Sequence, residues 1–192
     1  GLAGVTIRHP FETPPDHGQA VEVAPGILWL RLPLPMALDH VNVYALADDD
    51  GWTLVDTGMN SKKTRALWEA VLDGPLAGRP VARVILTHVG LVGWFQDRGA
   101  DLMTTRTAWL YARMLTLDVQ DRPSAQSLQF YARAGMPAEM LAKRAADRPF
   151  NFADVVAPMP LGFTRIEEGQ ILRLAGRDWQ VRLGQGHAPD HI

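Results

Sequence analysis

The chain has 192 residues, of which 47% are hydrophobic and 21% charged, as is typical of a globular domain. A net charge of −2 and the lack of a Lys/Arg cluster argue against a nucleic-acid partner. The absence of cysteine excludes disulfides and thiolate metal ligands. No apolar stretch approaches the ~20 residues that span a bilayer, so we expect no membrane partner and a cytoplasmic location.

The first part of the chain predicts an irregular arm followed by hairpins. Residues 1–19 are rich in Pro, His and Asp and predict the arm. Short apolar segments separated by turn residues, between residues 20 and 56, predict four strands. Ser61 can cap a helix that continues to Leu72, and residues 81–86 predict the next strand. The expected order is therefore four strands, a helix and a strand.

The second part of the chain contains a helical region. In residues 104–148 apolar residues recur at helical spacing, which predicts two or three helices with no strand among them. Further strands are predicted at residues 164–166, 171–174 and 179–183. We expect one domain over residues 20–192, with the helical region as an insertion within it.

Two polar residues stand where predicted strands end. Asp56 follows an apolar strand and precedes Gly58, so it can project beyond the sheet; alternatively it caps the helix after Ser61 or satisfies turn amides. His88 follows the strand at residues 81–86. Taken alone, His88 is better explained as a partly buried histidine with satisfied hydrogen bonds than as a metal ligand.

Two further groups of polar residues carry the same ambiguity. His187 and His191 have Asp190 between them, and such a group either shares a metal or forms a polar turn. His40 and Asn42 lie on one face of a predicted strand, which is either a site or a solvent-facing surface.

Together these groups indicate a functional site. Three of the four place His or Asp at the carboxyl end of a predicted strand, and such ends commonly converge on one edge of a layered α/β fold. With no cysteine present, a site built from His and Asp suits zinc, manganese or iron.

The sequence segments around these polar residues resemble motifs of the metallo-β-lactamase fold superfamily, whose members are αββα sandwiches. The segment His40-Val41-Asn42-Val43-Tyr44 and the helical region resemble features of the glyoxalase-II-like and lactonase-like branches. The resemblance covers most of residues 20–192. The three metal-site motifs it rests on are Val55-Asp56-Thr57-Gly58, Ile85-Leu86-Thr87-His88 and Gly186-His187-Ala188-Pro189-Asp190-His191.

The second motif departs from the family pattern Thr-His-x-His-x-Asp-His-x-Gly. Here Thr87-His88 is followed directly by Val89-Gly90, so five residues are absent and His88 matches either the first or the last histidine. The family's later bridging aspartate and final histidine would follow Ile192. Either the sequence is incomplete, which we favour, or the deletion is real and the chain is a degenerate relative.

The resemblance implies a hydrolase with two zinc ions per chain, or manganese or iron in their place. It makes His88 and His187 metal ligands and places Asp56, Asp190 and His191 in the catalytic centre around them. His40, Asn42 and Tyr44 would line the substrate cleft.

We expect a small-molecule substrate that is an ester, lactone or thioester. The helices around Trp109 and Met114 would form one wall of the cleft or an oligomer contact, as in a homodimer. One alternative is a phosphodiesterase or nuclease of the same fold, which the lack of a Lys/Arg cluster disfavours. The other is a metal-free relative that acts as a binding protein.

Overall fold

The computed structural model describes residues 14–33, 40–86, 90–155 and 162–184. Within these ranges strands and helices follow one another in mixed order. The strands are β1 (Ala20–Ala24), β2 (Ile27–Pro33), β3 (His40–Asp48), β4 (Gly51–Val55), β5 (Val81–Ile85), β6 (Asp101–Thr104), β7 (Thr164–Arg165), β8 (Ile171–Leu174) and β9 (Arg177–Gln180). The helices are α1 (Lys62–Asp73), α2 (Val92–Gln96), α3 (Arg106–Leu117), α4 (Ala125–Arg133), α5 (Ala138–Ala146) and a 3₁₀ helix (Phe152–Asp154).

The strands form one large mixed sheet and one small hairpin. The large sheet has the order β1-β2-β3-β4-β5-β6-β7, antiparallel from β1 to β4 and parallel from β4 to β7. Strands β8 and β9 pair with each other as an antiparallel hairpin. The connection from β4 through α1 to the neighbouring parallel strand β5 is a βαβ unit. The layered α/β class predicted from the sequence is therefore confirmed.

Each face of the large sheet carries its own hydrophobic core, because side chains alternate between the faces along every strand. Leu30, Val43 and Leu54 point to the face where Trp68 of α1 and Phe95 of α2 pack. The opposite face packs against the hairpin and is formed by a second cluster. This cluster contains Ile27, Leu46, Ile85, Ile166, Leu174 and Val181. The layers are thus helices, sheet and hairpin.

The start of α1 is fixed by Ser61. Its side chain accepts a hydrogen bond from the backbone N–H of Thr64 at 3.1 Å, which satisfies one of the free amides of the first turn. Trp68 and Val71 then bury the inner face of the helix against the sheet. Ser61 is thus the N-cap residue of α1.

The predicted order of elements is confirmed up to β5, and three helices occupy the predicted helical region. Three short elements were not predicted, α2, β6 and the 3₁₀ helix, and β6 includes Thr104, the first residue assigned to that region. Strand β9 begins at Arg177, because Ala175 and Gly176 both have positive φ and form a two-residue hairpin turn. Among the described residues no helix has the length and hydropathy needed to span a bilayer.

The hairpin is fixed to the sheet through Asp48. One carboxylate oxygen accepts a hydrogen bond from the backbone N–H of Ala175 at 3.0 Å. The other accepts from Thr53 Oγ1 at 3.2 Å and from Arg83 Nη1 at 3.3 Å. Arg83 also pairs with Asp50. This charged cluster aligns the β8–β9 turn with the end of β3 opposite to the candidate site.

The core of the sheet makes a quantitative prediction. Leu54→Ala removes a fully buried side chain from central strand β4, and we expect it to lower the free energy of unfolding by about 2–5 kcal/mol. Leu117→Ala is the matched control, because Leu117 is 67% exposed; its expected effect is within about 0.5 kcal/mol. Urea denaturation of both variants measures the difference. Equal losses would contradict the assignment of the core.

Candidate functional site

The parallel register of β4 and β5 brings the candidate site to one edge of the sheet. Val55 pairs with Ile85, so Asp56 and Leu86 leave the sheet side by side. Strand β3 runs antiparallel to β4 with Tyr44 opposite Val55, which places the first half of β3 at the same edge. The structure therefore brings Asp56 and the strand that starts at His40 to a common edge.

Asp56 begins a turn with an uncommon backbone. Its φ is +67°, in the left-handed region that Asp and Asn enter more readily than other non-glycine residues. Gly58, two residues later, has a φ of +75°. The backbone N–H of Asp56 donates to the carbonyl of Ile85 at 3.0 Å and extends the pairing of the two strands. The turn thus directs the chain away from the sheet immediately after Val55.

Thr57 links this turn to both helices on the inner face. It is 1% exposed, and its hydroxyl oxygen accepts a hydrogen bond from the backbone N–H of Leu91 at 2.9 Å. Its carbonyl accepts from the indole N–H of Trp68 at 2.7 Å. Trp68 also makes an edge-to-face contact with Phe95, with the ring centroids 5.0 Å apart. The turn is therefore held by α1 on one side and by the start of α2 on the other.

Gly90 lies directly against the turn. A Cβ atom at this position would stand 2.2 Å from the carbonyl oxygen of Gly58 and 2.8 Å from Thr57 Oγ1. Both distances are shorter than any van der Waals contact permits, so only glycine fits. Gly90 belongs to the sequence that flanks the second motif, and its packing against the turn was not predicted. The signal available was a glycine shortly after His88.

The other flank of residues 87–89 is fixed equally well. The backbone N–H of Leu86 donates to the carbonyl of Met103 at 3.0 Å, and Thr104 Oγ1 donates to the carbonyl of Leu86 at 3.2 Å. The chain therefore has a fixed position at Leu86 and again at Gly90, both adjacent to the Asp56 turn. His88 itself lies outside the described residues, as do His187, Asp190 and His191, so their roles stay predictions.

The three predicted cleft residues share one face of β3, on the side of the sheet away from α1. The strand register pairs Arg31 of β2 with Asn42 and Trp29 with Tyr44. Trp29 Nε1 donates to Asn42 Oδ1 at 3.0 Å, and Arg31 Nη2 lies 2.5 Å from His40 Nδ1. The face is thus polar and partly hydrogen-bonded, and Arg31 was not recognised in the sequence.

Tyr44 also lines an apolar cavity of about 430 Å³ between the large sheet and the hairpin. Almost all of the surface around it is hydrophobic. The cavity has the size of a small-molecule site. Its other lining residues are Val23, Ile27, Leu46, Val55, Ile85, Ile166, Leu172, Leu174, Trp179, Gln180 and Val181.

The described residues do not form a metal site by themselves. Over residues 14–33, 40–86, 90–155 and 162–184, no group of three or more His, Asp or Glu side chains could hold an ion. The predicted ligands, His88 and His187, are imidazoles, which suit zinc, manganese or iron. A complete ligand set therefore depends on the predicted ligands His88 and His187.

The helical region was predicted to form a wall of the cleft or an oligomer contact. Trp109 stacks on Phe163 with the ring centroids 5.0 Å apart, and Met114 on the same helix is 53% exposed. Arg148, after α5, donates two hydrogen bonds to Asp154 at 2.5 and 3.1 Å, which lower the pKa of that carboxyl. A homodimer through this region stays a prediction.

The comparisons with known proteins agree with this geometry. Residues 36–99 match the family model of the metallo-beta-lactamase superfamily. A beta-lactamase domain protein from Burkholderia ambifaria has 33% identity and a TM-score of 0.76, over 95% of this chain and 55% of that one. The metallo-beta-lactamase family protein TTHA1429 from Thermus thermophilus has 26% identity and a TM-score of 0.67, over 88% and 55%.

A more distant structure shares the fold alone. The subclass B3 metallo-beta-lactamase MEM-A1, from a soil metagenome library, has 12% identity and a TM-score of 0.54, over 93% of this chain and 56% of that one. None of the curated proteins matches the sequence. The chain spans a little over half the length of these solved structures.

The contact between Gly90 and the turn is directly testable. We expect Gly90→Ala to lower the free energy of unfolding by about 1–3 kcal/mol or more, because the new methyl group overlaps the carbonyl of Gly58. Gly162→Ala is the matched control, since a Cβ there meets no atom within 4 Å. Thermal and urea unfolding compare the two variants. A Gly90→Ala protein as stable as Gly162→Ala would contradict the close approach.

Proposed function

Because this chain belongs to the metallo-beta-lactamase superfamily, we propose that it is a metal-dependent hydrolase that uses a metal-activated water on an ester, lactone or thioester. The observation that carries the proposal is the Asp56 turn, which packs on Gly90 and accepts the Leu91 amide through Thr57. This turn lies against Gly90 and pairs with the end of β5, the two described flanks of the segment that contains His88. The relatives are longer than this chain, so their complete activity is part of the proposal.

The proposal gives each candidate residue a role. His88 and His187 would hold the metal, two zinc ions or manganese or iron in their place. The metal supplies Lewis acidity, which activates water and polarises the substrate carbonyl. Asp56 would fix the orientation of a ligand side chain by hydrogen bonding, as carboxylates near metal ligands commonly do. Asp190 and His191 would lie close to the reacting groups.

The substrate would lie over the β3 face. His40, Asn42 and Tyr44 would contact it, and the apolar character of the neighbouring surface favours an acyl compound over a polyanion. Arg31 is the only cation that the described part of β2 and β3 places on this face. A nucleic-acid backbone requires several cations, so a phosphodiesterase is the less supported alternative.

Asp56 provides the test. In the zinc- or manganese-loaded protein we expect Asp56→Asn to lower kcat/KM for p-nitrophenyl acetate, a lactone or a thioester about 10–100-fold, with weaker metal binding by mass spectrometry. Asp97→Asn is the matched control, because Asp97 is exposed at the end of α2. Full activity and metal content in Asp56→Asn would overturn the role of Asp56.

The same assay separates the alternatives. Hydrolysis of bis-p-nitrophenyl phosphate but of no ester would favour the phosphodiesterase. Failure of the wild-type protein to bind zinc, manganese or iron would refute the metallohydrolase and leave the binding protein.

A further inference from the structure

The polar face formed by β2 and β3 contains an arginine, Arg31, that pairs with no carboxylate among the described residues. Arg31 is half-buried, and its Nη2 donates to His40 Nδ1 at 2.5 Å. A guanidinium only donates hydrogen bonds, so Nδ1 of His40 is the acceptor in this contact. Arg31 Nε is buried and has no acceptor among the described residues. Nor does a carboxylate in the described part of the chain form an ion pair with Arg31.

Arg83, in the same sheet, is an arginine whose charge is balanced by carboxylates. Arg83 pairs with both Asp48 and Asp50, and it also donates to Thr53 Oγ1 at 2.7 Å. Among the described residues Arg31 lacks this compensation, and a half-buried guanidinium without a carboxylate partner is unfavourable until an anion pairs with it. Arg31 therefore provides a position at which an anion can bind.

Asn42 adds donors next to Arg31. The two residues are direct cross-strand partners, so their side chains lie on the same face of the sheet. The indole N–H of Trp29 needs an acceptor, which fixes the amide oxygen of Asn42 toward Trp29. The amide NH₂ of Asn42 then has no partner among the described residues, and Asn42 is exposed. Guanidinium and amide donors thus stand side by side.

We propose that Arg31 and Asn42 bind a carboxylate group of the ligand. The inference rests on the proposed function in one respect, which is that the substrate would then be an ester, lactone or thioester that also carries a free carboxylate. One guanidinium balances the charge of a monoanion, whereas a phosphate dianion would require a second cation. Carboxylate is therefore the anion that this pair of residues fits.

The distance to the Asp56 turn suits a small substrate. Arg31 lies on β2, two strands from β4 and within about one residue of the level at which Asp56 leaves the sheet. Adjacent strands are ~4.8 Å apart, so the two backbones are separated by on the order of 10 Å. A molecule of a few carbon atoms between its carboxylate and its scissile bond would span this distance.

The test uses phenylacetate as the probe and the metal-free protein, so that no metal can bind the carboxylate. Isothermal titration calorimetry should show that phenylacetate binds and that neutral phenylacetamide and inorganic phosphate bind at least tenfold more weakly. Arg31→Gln should lose at least tenfold in affinity, about 1.4 kcal/mol. Arg98→Gln is the matched control and should bind as the wild type does, since Arg98 is exposed and stacks on Trp94.

Asn42→Asp tests the same claim without removing the arginine. The new carboxylate would pair with Arg31, so we expect a higher melting temperature together with loss of phenylacetate binding. Equal affinity of the wild type for phenylacetate and phenylacetamide would overturn the proposal, as would unchanged affinity in Arg31→Gln. An Asn42→Asp protein that still binds phenylacetate as the wild type does would also overturn it.

The outcome of the phenylacetate test does not depend on whether the proposed hydrolase function is correct. Phenylacetate binding that depends on Arg31, in a protein that hydrolyses no ester, would refute the hydrolase and leave the carboxylate site standing. Hydrolysis of neutral esters without phenylacetate binding would do the opposite.

Discussion

The packing of Gly90 on the Thr57–Gly58 turn is the contact on which the candidate site depends. Two backbone segments meet there with no room for a side chain, and the hydroxyl of Thr57 joins them by accepting the Leu91 amide. A backbone contact of this kind leaves little freedom to slide, because the two closest groups are main chain and both Gly90 and Thr57 are buried. The carboxyl ends of β4 and β5 are thereby held in one fixed relation.

The positions of α1, β3 and β2 relative to the site follow from this contact. Trp68 reaches the turn from α1 and fixes the helix layer to the same point, so the inner core and the site edge share one anchor. The antiparallel register then carries the position of the edge from β4 to β3 and on to β2. Arg31 and Asn42 owe their place near the edge to this register and not to any direct contact with the turn.

The sequence was sufficient for most of the fold and for part of the site. The period of apolar residues and the cap at Ser61 predicted β4, α1 and β5, and the position of Asp56 followed from them. Helix α2 and strand β6 have five and four residues, too few for a periodic pattern to be recognised. Arg31 was not predicted as a site residue, because an arginine in an alternating strand is normally solvent-exposed. Its neighbours became evident only from the cross-strand register.

The most direct test of the account is the zinc affinity of Thr57→Val, compared with that of Thr107→Val. Valine keeps the shape of threonine but cannot accept the hydrogen bond from Leu91, whereas Thr107 is exposed on α3. If the turn holds the predicted metal-binding segment in place, Thr57→Val should bind zinc at least tenfold more weakly than the control. Equal zinc affinity in a folded Thr57→Val protein would contradict the claim that this contact supports the site.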